Sequence, residues 1–151
     1  MPSALWSVAK LISLGLSLAL PGAWAAAQTA APLPVVELYA PSACPGCAAW
    51  VKQLRQRGFV VTQEEKSPDS MRRIKHWVNV PSALESVQTA RVGGYFVEGS
   101  VPVDDVVRLL KEKPLARGLG LQAVPGGAPG REKFNTIFVG ADGATRLYAQ
   151  H

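Results

Sequence analysis

The chain has 151 residues, a formal net charge of +5, 48% hydrophobic residues and 18% charged ones. That length suits one domain with a real buried core. Its lysines and arginines are scattered among acidic residues rather than gathered into a stripe, so nucleic acid and anionic membranes are not expected partners and the charge reads as a solvated surface.

The first 25 residues read as a signal peptide rather than as part of the fold. Lys10 supplies a positive charge, Leu11 to Leu20 is apolar, Pro21-Gly22 breaks the run, and Ala23-Trp24-Ala25 offers small residues where a signal peptidase reads. Cleavage before Ala26 removes Lys10 and takes the formal charge from +5 to +4. Counted from Leu5, the apolar run approaches the length of a span, so an uncleaved anchor is the alternative. The expected mature protein is periplasmic and not stably inserted in a membrane, with a flexible Ala/Thr/Pro-rich leader over 26–34 and one domain over 35–151.

Within that domain Val35 to Tyr39 reads as a strand and Ala48 to Gly58 as a helix with Trp50, Val51 and Leu54 on one face. Gly58 suits a helix C-terminus, and Phe59 to Thr62 reads as a second strand, giving a βαβ unit with a parallel pair. Ser67-Pro68-Asp69 opens a second helix, whose buried stripe is Met71, Ile74, Trp77 and Val78. After Pro81, Ser82 and Glu85 could cap a further turn. Val92 to Val97 reads as a strand that turns at Glu98-Gly99 into a short return at Ser100-Val101. A third helix starts at Asp104 or Asp105, the Gly/Pro-rich stretch Pro114 to Gly130 reads as loop, and Asp142-Gly143 joins a final hairpin of Phe134–Val139 and Ala144–Ala149. The predicted class is therefore α/β, a thioredoxin-like β-α-β-α-β-β-α core with an added C-terminal β-hairpin; the fold name is an analogy.

Both cysteines of the chain lie in Cys44-Pro45-Gly46-Cys47, between the first strand and the first helix. Pro45 suits a first helical position, and a thiol at a helix N-terminus meets orphan N–H groups and the positive end of the dipole, which favour thiolate. A strand, a Cys-x-x-Cys and a helix form a redox signal. Three readings stand: a reactive dithiol, a soft-metal site, or an inert staple, the last disfavoured because so short a loop removes little entropy from the unfolded chain.

From about Val35 onward the chain resembles the CopG-like family of periplasmic copper-resistance proteins. The resemblance rests on Tyr39-Ala40-Pro41-Ser42 before the cysteines, Trp50-Val51, Thr89-Ala90, the run Gly94 to Pro102, and the Pro-Gly stretch Val124 to Gly130. It implies a thioredoxin-like fold, thiolate binding of copper, and copper redox chemistry. The chain departs from the family pattern where that pattern holds metal. Gly46 stands in place of a middle thiol, Val87-Gln88 in place of a Cys-His pair, Ser100 in place of a histidine, and Arg131 in place of a loop methionine.

What remains is a Cys-Pro-x-Cys like that of thiol-disulfide oxidoreductases, without the proline such proteins place before the facing strand, since the approach here is Thr89-Ala90-Arg91-Val92. Arg91 could lie near the thiolates, although solvation is the commoner fate of such a residue. His76 reads as a surface residue, His151 as mobile, and Met71, Trp50 and Trp77 as core. The catalytic candidates are Cys44, as exposed nucleophile, and Cys47, as resolving thiol. The same two residues are the metal candidates, holding one Cu(I) between two thiolates. The redox reading requires no cofactor and takes periplasmic protein thiols or disulfides as partners; the alternative takes copper.

Overall fold

The computed structural model describes residues 31–128 and 131–151. The expected signal peptide and most of the leader lie outside the described residues. Among the described residues seven strands form one mixed sheet in the order β2-β1-β3-β4-β5-β6-β7. They are β1 (Val36–Ala40), β2 (Val61–Glu65), β3 (Thr89–Val92), β4 (Tyr95–Glu98), β5 (Ala116–Ala128), β6 (Arg131–Gly140) and β7 (Thr145–Gln150). Among the described residues three α-helices connect them: α1 (Cys47–Gln56), α2 (Pro68–Trp77) and α3 (Val103–Glu112). The β-α-β-α-β-β-α succession is the one expected, with β1 and β2 parallel.

The helices cover both faces of the sheet. Trp50, Val51 and Leu54 of α1 and Val103, Val106, Val107 and Leu109 of α3 pack with Leu38, Ala90, Val97, Leu119 and Phe138 into the main core. On the other face Val80 and Leu84, from the segment after α2, pack on Phe96 and Val139. Phe96 and Val97 thus feed opposite cores, as do Phe138 and Val139, because successive side chains of a strand alternate.

The expected strand over 92–97 is instead two antiparallel strands, with Val92 paired to Tyr95. Gly93 and Gly94, at φ of 56° and 89°, make the tight turn between them, and two successive positive φ angles are what such a hairpin needs. Ser100-Val101 forms no return strand but leads directly into α3. The second strand starts later than expected, at Val61, with Phe59 buried ahead of it.

The largest correction is the stretch 114–130, expected as loop. Residues 116–128 form β5, which pairs in parallel with β4 and antiparallel with β6. Gly118 and Gly120 serve packing rather than turning: a Cβ on Gly118 would sit 2.0 Å from the Phe96 carbonyl oxygen. The final hairpin is present, with Gly140 and Ala144 bonded across the Asp142-Gly143 turn.

The second helix starts as expected, with the Ser67 hydroxyl accepting from the Ser70 N–H and Pro68 in the first turn. Its buried stripe is different. Met71 is buried, but Trp77 is 63% exposed and lies under Arg91, whose guanidinium is 4.6 Å from a ring centroid. Ser82 does not cap the following turn, a 3-10 segment over Ser82–Leu84 preceded by Pro81.

Lys75, one turn after Met71, goes into the core instead. Its Nζ is paired with Glu98 Oε1 and donates to Thr89 Oγ1 at 2.8 Å. The Thr89 hydroxyl donates to Glu98 Oε2 at 2.7 Å, and the Ser86 N–H donates to Glu98 Oε1 at 2.6 Å. Glu98 and Thr89 are fully enclosed, so both charges are satisfied within this network rather than by water. The network pins α2 to the β3–β4 hairpin and to the segment that enters it. Lys75→Met leaves the Glu98 carboxylate buried and unpaired, and is expected to cost about 3–5 kcal/mol in urea unfolding. The double variant Lys75→Met/Glu98→Met should lose less than the single one.

Candidate functional site

Strand β1 ends at Ala40, and Pro41 to Gly46 carry the chain across to α1. Pro45 does not start the helix as expected. It lies in a turn, and Gly46 takes the N-cap position at φ 84°, a left-handed conformation open to glycine at little cost. Cys47 is therefore the first helical residue, with its N–H 3.3 Å from the Cys44 carbonyl, and Cys44 sits one turn earlier. The helix terminus thus acts most directly on Cys47.

Cys44 and Cys47 are joined as a disulfide with their Cα atoms 5.6 Å apart, and both are half-buried. The side chain that meets them is Gln88. Its Oε1 lies 2.6 Å from Cys47 Sγ and 3.3 Å from Cys44 Sγ, and its Nε2 donates to Ser100 Oγ at 3.2 Å. Gln88 is 3% exposed. Its backbone is fixed as well, since its carbonyl accepts from the Gly99 N–H at 3.0 Å and from the Ser86 hydroxyl at 3.2 Å. The indole N–H of Trp50 donates to the Val101 carbonyl at 2.8 Å and ties α1 to the Gly99–Pro102 segment.

Residues far apart in sequence thereby meet at one place. Of the positions read as lost ligands, Gln88 reaches the cysteines and Ser100 bonds to it from behind. Val87, beside them in sequence, is half exposed, and Arg131 opens β6 opposite Ala128. Arg91 is not near the sulfurs but pairs with Glu37 at 3.3 Å, because β3 runs antiparallel to β1 and carries Arg91 away from the cysteine end, so the favoured of its two readings stands. One expectation fails. His151 is held rather than mobile: its backbone is bonded in both directions to Phe134, and its Nε2 lies 2.8 Å from Asp105 Oδ2. His76 is exposed, as expected. Tyr39, just before the cysteine loop, is held above its ordinary phenol range by burial and then by the Glu37 carboxylate, so it is neutral at pH 7.

The sequence did not mark Gln88 as a positive element of the site. The available signal was Lys75, a charge four residues after Met71 on an apolar helix face, which demands a buried partner. That partner, Glu98, lies in the same run as Ser100.

The donor set decides what could be held here. Once reduced, two sulfurs are soft ligands, whereas the Gln88 amide oxygen and Ser100 hydroxyl are hard ones that add little for Cu(I). Among the described residues no group of three or more His, Cys, Asp or Glu side chains is placed to hold a metal. The residues fit one two-coordinate Cu(I), and they fit a dithiol–disulfide couple.

A mixed α/β protein with a half-buried cysteine pair at the head of its first helix is the class that fold and site define. Residues 84–131 match the family model described as "Protein of unknown function, DUF411". The solved structure titled "Copper resistance protein copG- Form 1" is similar with a TM-score of 0.68 and 25% identity, over 78% of this chain and 98% of that one. "Copper resistance protein copG- Form 2" is similar with a TM-score of 0.68 and 26% identity, over 79% and 98%. No curated protein matches the sequence. The chain is thus similar to two copper resistance protein structures over most of its length and shares the segment 84–131 with the DUF411 model.

Kept in this position on reduction, the Cys47 thiol would donate to Gln88 Oε1, 2.6 Å away, a contact that favours the neutral form of that thiol. Gln88→Ala is expected to speed alkylation of Cys47 at neutral pH by about fivefold, the effect of one hydrogen bond of ~1 kcal/mol. Mass mapping of the alkylated protein checks this, and slower labelling would show that the amide presents N–H to the sulfur.

Proposed function

We propose that the protein is a periplasmic thiol protein, thioredoxin-like in its core, whose Cys44–Cys47 pair cycles between dithiol and disulfide. The observation that carries this reading is the surroundings of the pair. A disulfide at a helix N-terminus is capped by a buried neutral amide instead of by further soft ligands. In this scheme Cys44, ahead of the helix, is the nucleophile. Cys47 is the resolving thiol, and the helix N-terminus stabilises the thiolate it becomes when the bond opens. Outside the cytosol such a pair rests oxidised until a partner thiol reduces it. The mature form in this proposal begins near Ala26, is not stably inserted in a membrane, and carries its domain over 35–151.

The similarity to copper resistance proteins favours a second reading, in which the reduced pair carries Cu(I) as cargo between two thiolates. No resident cofactor is needed for either role.

The two readings part in one experiment. Reduced protein of known oligomeric state is titrated with Cu(I) against a competing chelator, alongside Cys44→Ser, His76→Ala and His151→Ala, and the oxidised and reduced forms are mapped by alkylation. The expected results are labelling of Cys44 before Cys47 and at most about one Cu(I) per chain, lost in Cys44→Ser and unchanged in both histidine variants. Several copper ions per monomer, or binding that depends on His76, would refute the account of ligand loss. Equal, slow labelling of both thiols would remove the activated nucleophile.

A further inference from the structure

A cleft of about 770 Å³ opens beside the disulfide, lined by Cys44 and Cys47 at one end and by Leu38 and Ala40 of β1. Its walls are α1 and β2. The volume is in the range of small-molecule sites. β2 lies at the edge of the sheet, and its register places Val61, Gln63 and Glu65 opposite Val36, Leu38 and Ala40. Val61 belongs to the core under α1, so by strand alternation Gln63 and Glu65 point to the same side. Both are exposed, where a fully covered strand would bury apolar residues. The sheet face next to the disulfide is therefore a polar opening, not core.

The two walls carry opposite charge. Lys52 and Arg55 line the helix side and Glu65 lines the strand side, while the side chain of Glu64, at the rim, belongs by the same alternation to the other face. Glu64 is already paired with Lys66 at 2.6 Å, and Arg55 donates to the Val61 carbonyl at 3.4 Å. Lys52 and Glu65 have no ion-pair partner among the described residues, and both face the cleft. A cation on one wall and a carboxylate on the other, ending at a disulfide, complement a small molecule with a carboxylate, an ammonium group and a thiol.

We propose that this cleft binds a low-mass zwitterionic thiol, of the class of cysteine or a short cysteine peptide, as the direct reductant of the disulfide. The proposal rests on the redox reading above. The thiol's carboxylate meets Lys52 and Arg55, its ammonium meets Glu65, and its thiolate attacks Cys44 Sγ. The S–S bond between Cys44 and Cys47 breaks as the mixed disulfide forms, and Cys47 leaves as a thiolate that takes a proton from water. A second thiolate attacks the small-molecule sulfur of the mixed disulfide. Cys44 is released as a thiolate and is protonated, so two thiols are oxidised to one small disulfide as one protein disulfide is reduced.

The test uses the oxidised mature protein and four thiols: L-cysteine, cysteamine, 3-mercaptopropionate and 2-mercaptoethanol. Reduction rates are divided by thiolate concentration and then by each thiol's rate toward a small neutral disulfide, so that neither thiolate fraction nor intrinsic nucleophilicity enters. At low salt L-cysteine is expected to react about fivefold faster than 2-mercaptoethanol, as two exposed charge contacts allow, and the advantage should fade at high salt. Lys52→Glu should abolish it. Glu65→Lys should slow cysteamine and speed 3-mercaptopropionate, a reversal that a misfolded variant would not give. Equal normalised rates for the four thiols, or variants that leave the order unchanged, would overturn the proposal. Dithiothreitol serves as the control. If it reduces the pair reversibly in every variant while selectivity is absent, the cleft proposal alone fails. If it does not, the redox reading fails with it.

Discussion

The buried contact between Lys75 and Glu98 is the constraint on which the site depends. Two charges inside a protein are tolerated only when both are paired and their remaining hydrogen-bonding groups are filled, and here Thr89 and the Ser86 N–H complete the set. The same atoms locate the chain on either side of the β3–β4 hairpin. Ser86 leads to Gln88 on one arm, and Glu98 leads to Gly99 and Ser100 on the other. The arms are also stitched by the Gly99 N–H bond to the Gln88 carbonyl. A side chain on each arm then reaches the site, with the Gln88 amide against the sulfurs and Ser100 behind it. Packing on one face of the sheet thus sets what surrounds the cysteines at its end.

That arrangement gives physical meaning to the substitutions which separate this chain from the pattern it resembles. Gln88 and Ser100 do not lie at scattered positions; Gln88 faces Cys44 and Cys47, and Ser100 holds its amide from behind. An amide and a hydroxyl bonded to each other offer a neutral, hard-donor wall, which suits a pair of thiols exchanging protons and electrons better than it suits a cluster of soft cations. The similarity to copper resistance proteins and the chemistry of the remaining donors therefore pull in different directions. In our account the fold is kept while the metal capacity has narrowed to what two sulfurs can hold.

Much of the architecture was legible because it follows from periodicity. Trp50, Val51 and Leu54 are spaced for a helix face, and they are buried; Ser67-Pro68-Asp69 signals a helix start, and α2 starts there. Two of the failures share a cause, which is that glycine has more than one use. Gly118 and Gly120 read as loop residues but are in a strand, where Phe96 and Leu84 leave no room for a Cβ. Gly93-Gly94 read as strand interior but is the turn. Trp77 fell on the expected stripe, yet the buried position beside it went to Lys75, because Glu98 supplied a partner that no helix-face pattern could reveal. The cysteine pair was visible from spacing alone. Its neighbour Gln88 was not, since that contact depends on how β3 is set against α1.

In our reading Cys44 and Cys47 form a reversible couple. The most direct measurement equilibrates the protein in buffers of graded thiol/disulfide ratio under anaerobic conditions, quenches with an alkylating agent, and reads the oxidised fraction by intact mass. The account predicts one transition between two species, disulfide and doubly alkylated dithiol, reached from both directions, with a slope near 30 mV per tenfold change as two electrons require. A pair that stays oxidised across the whole series, or whose end points differ with the direction of approach, would contradict it.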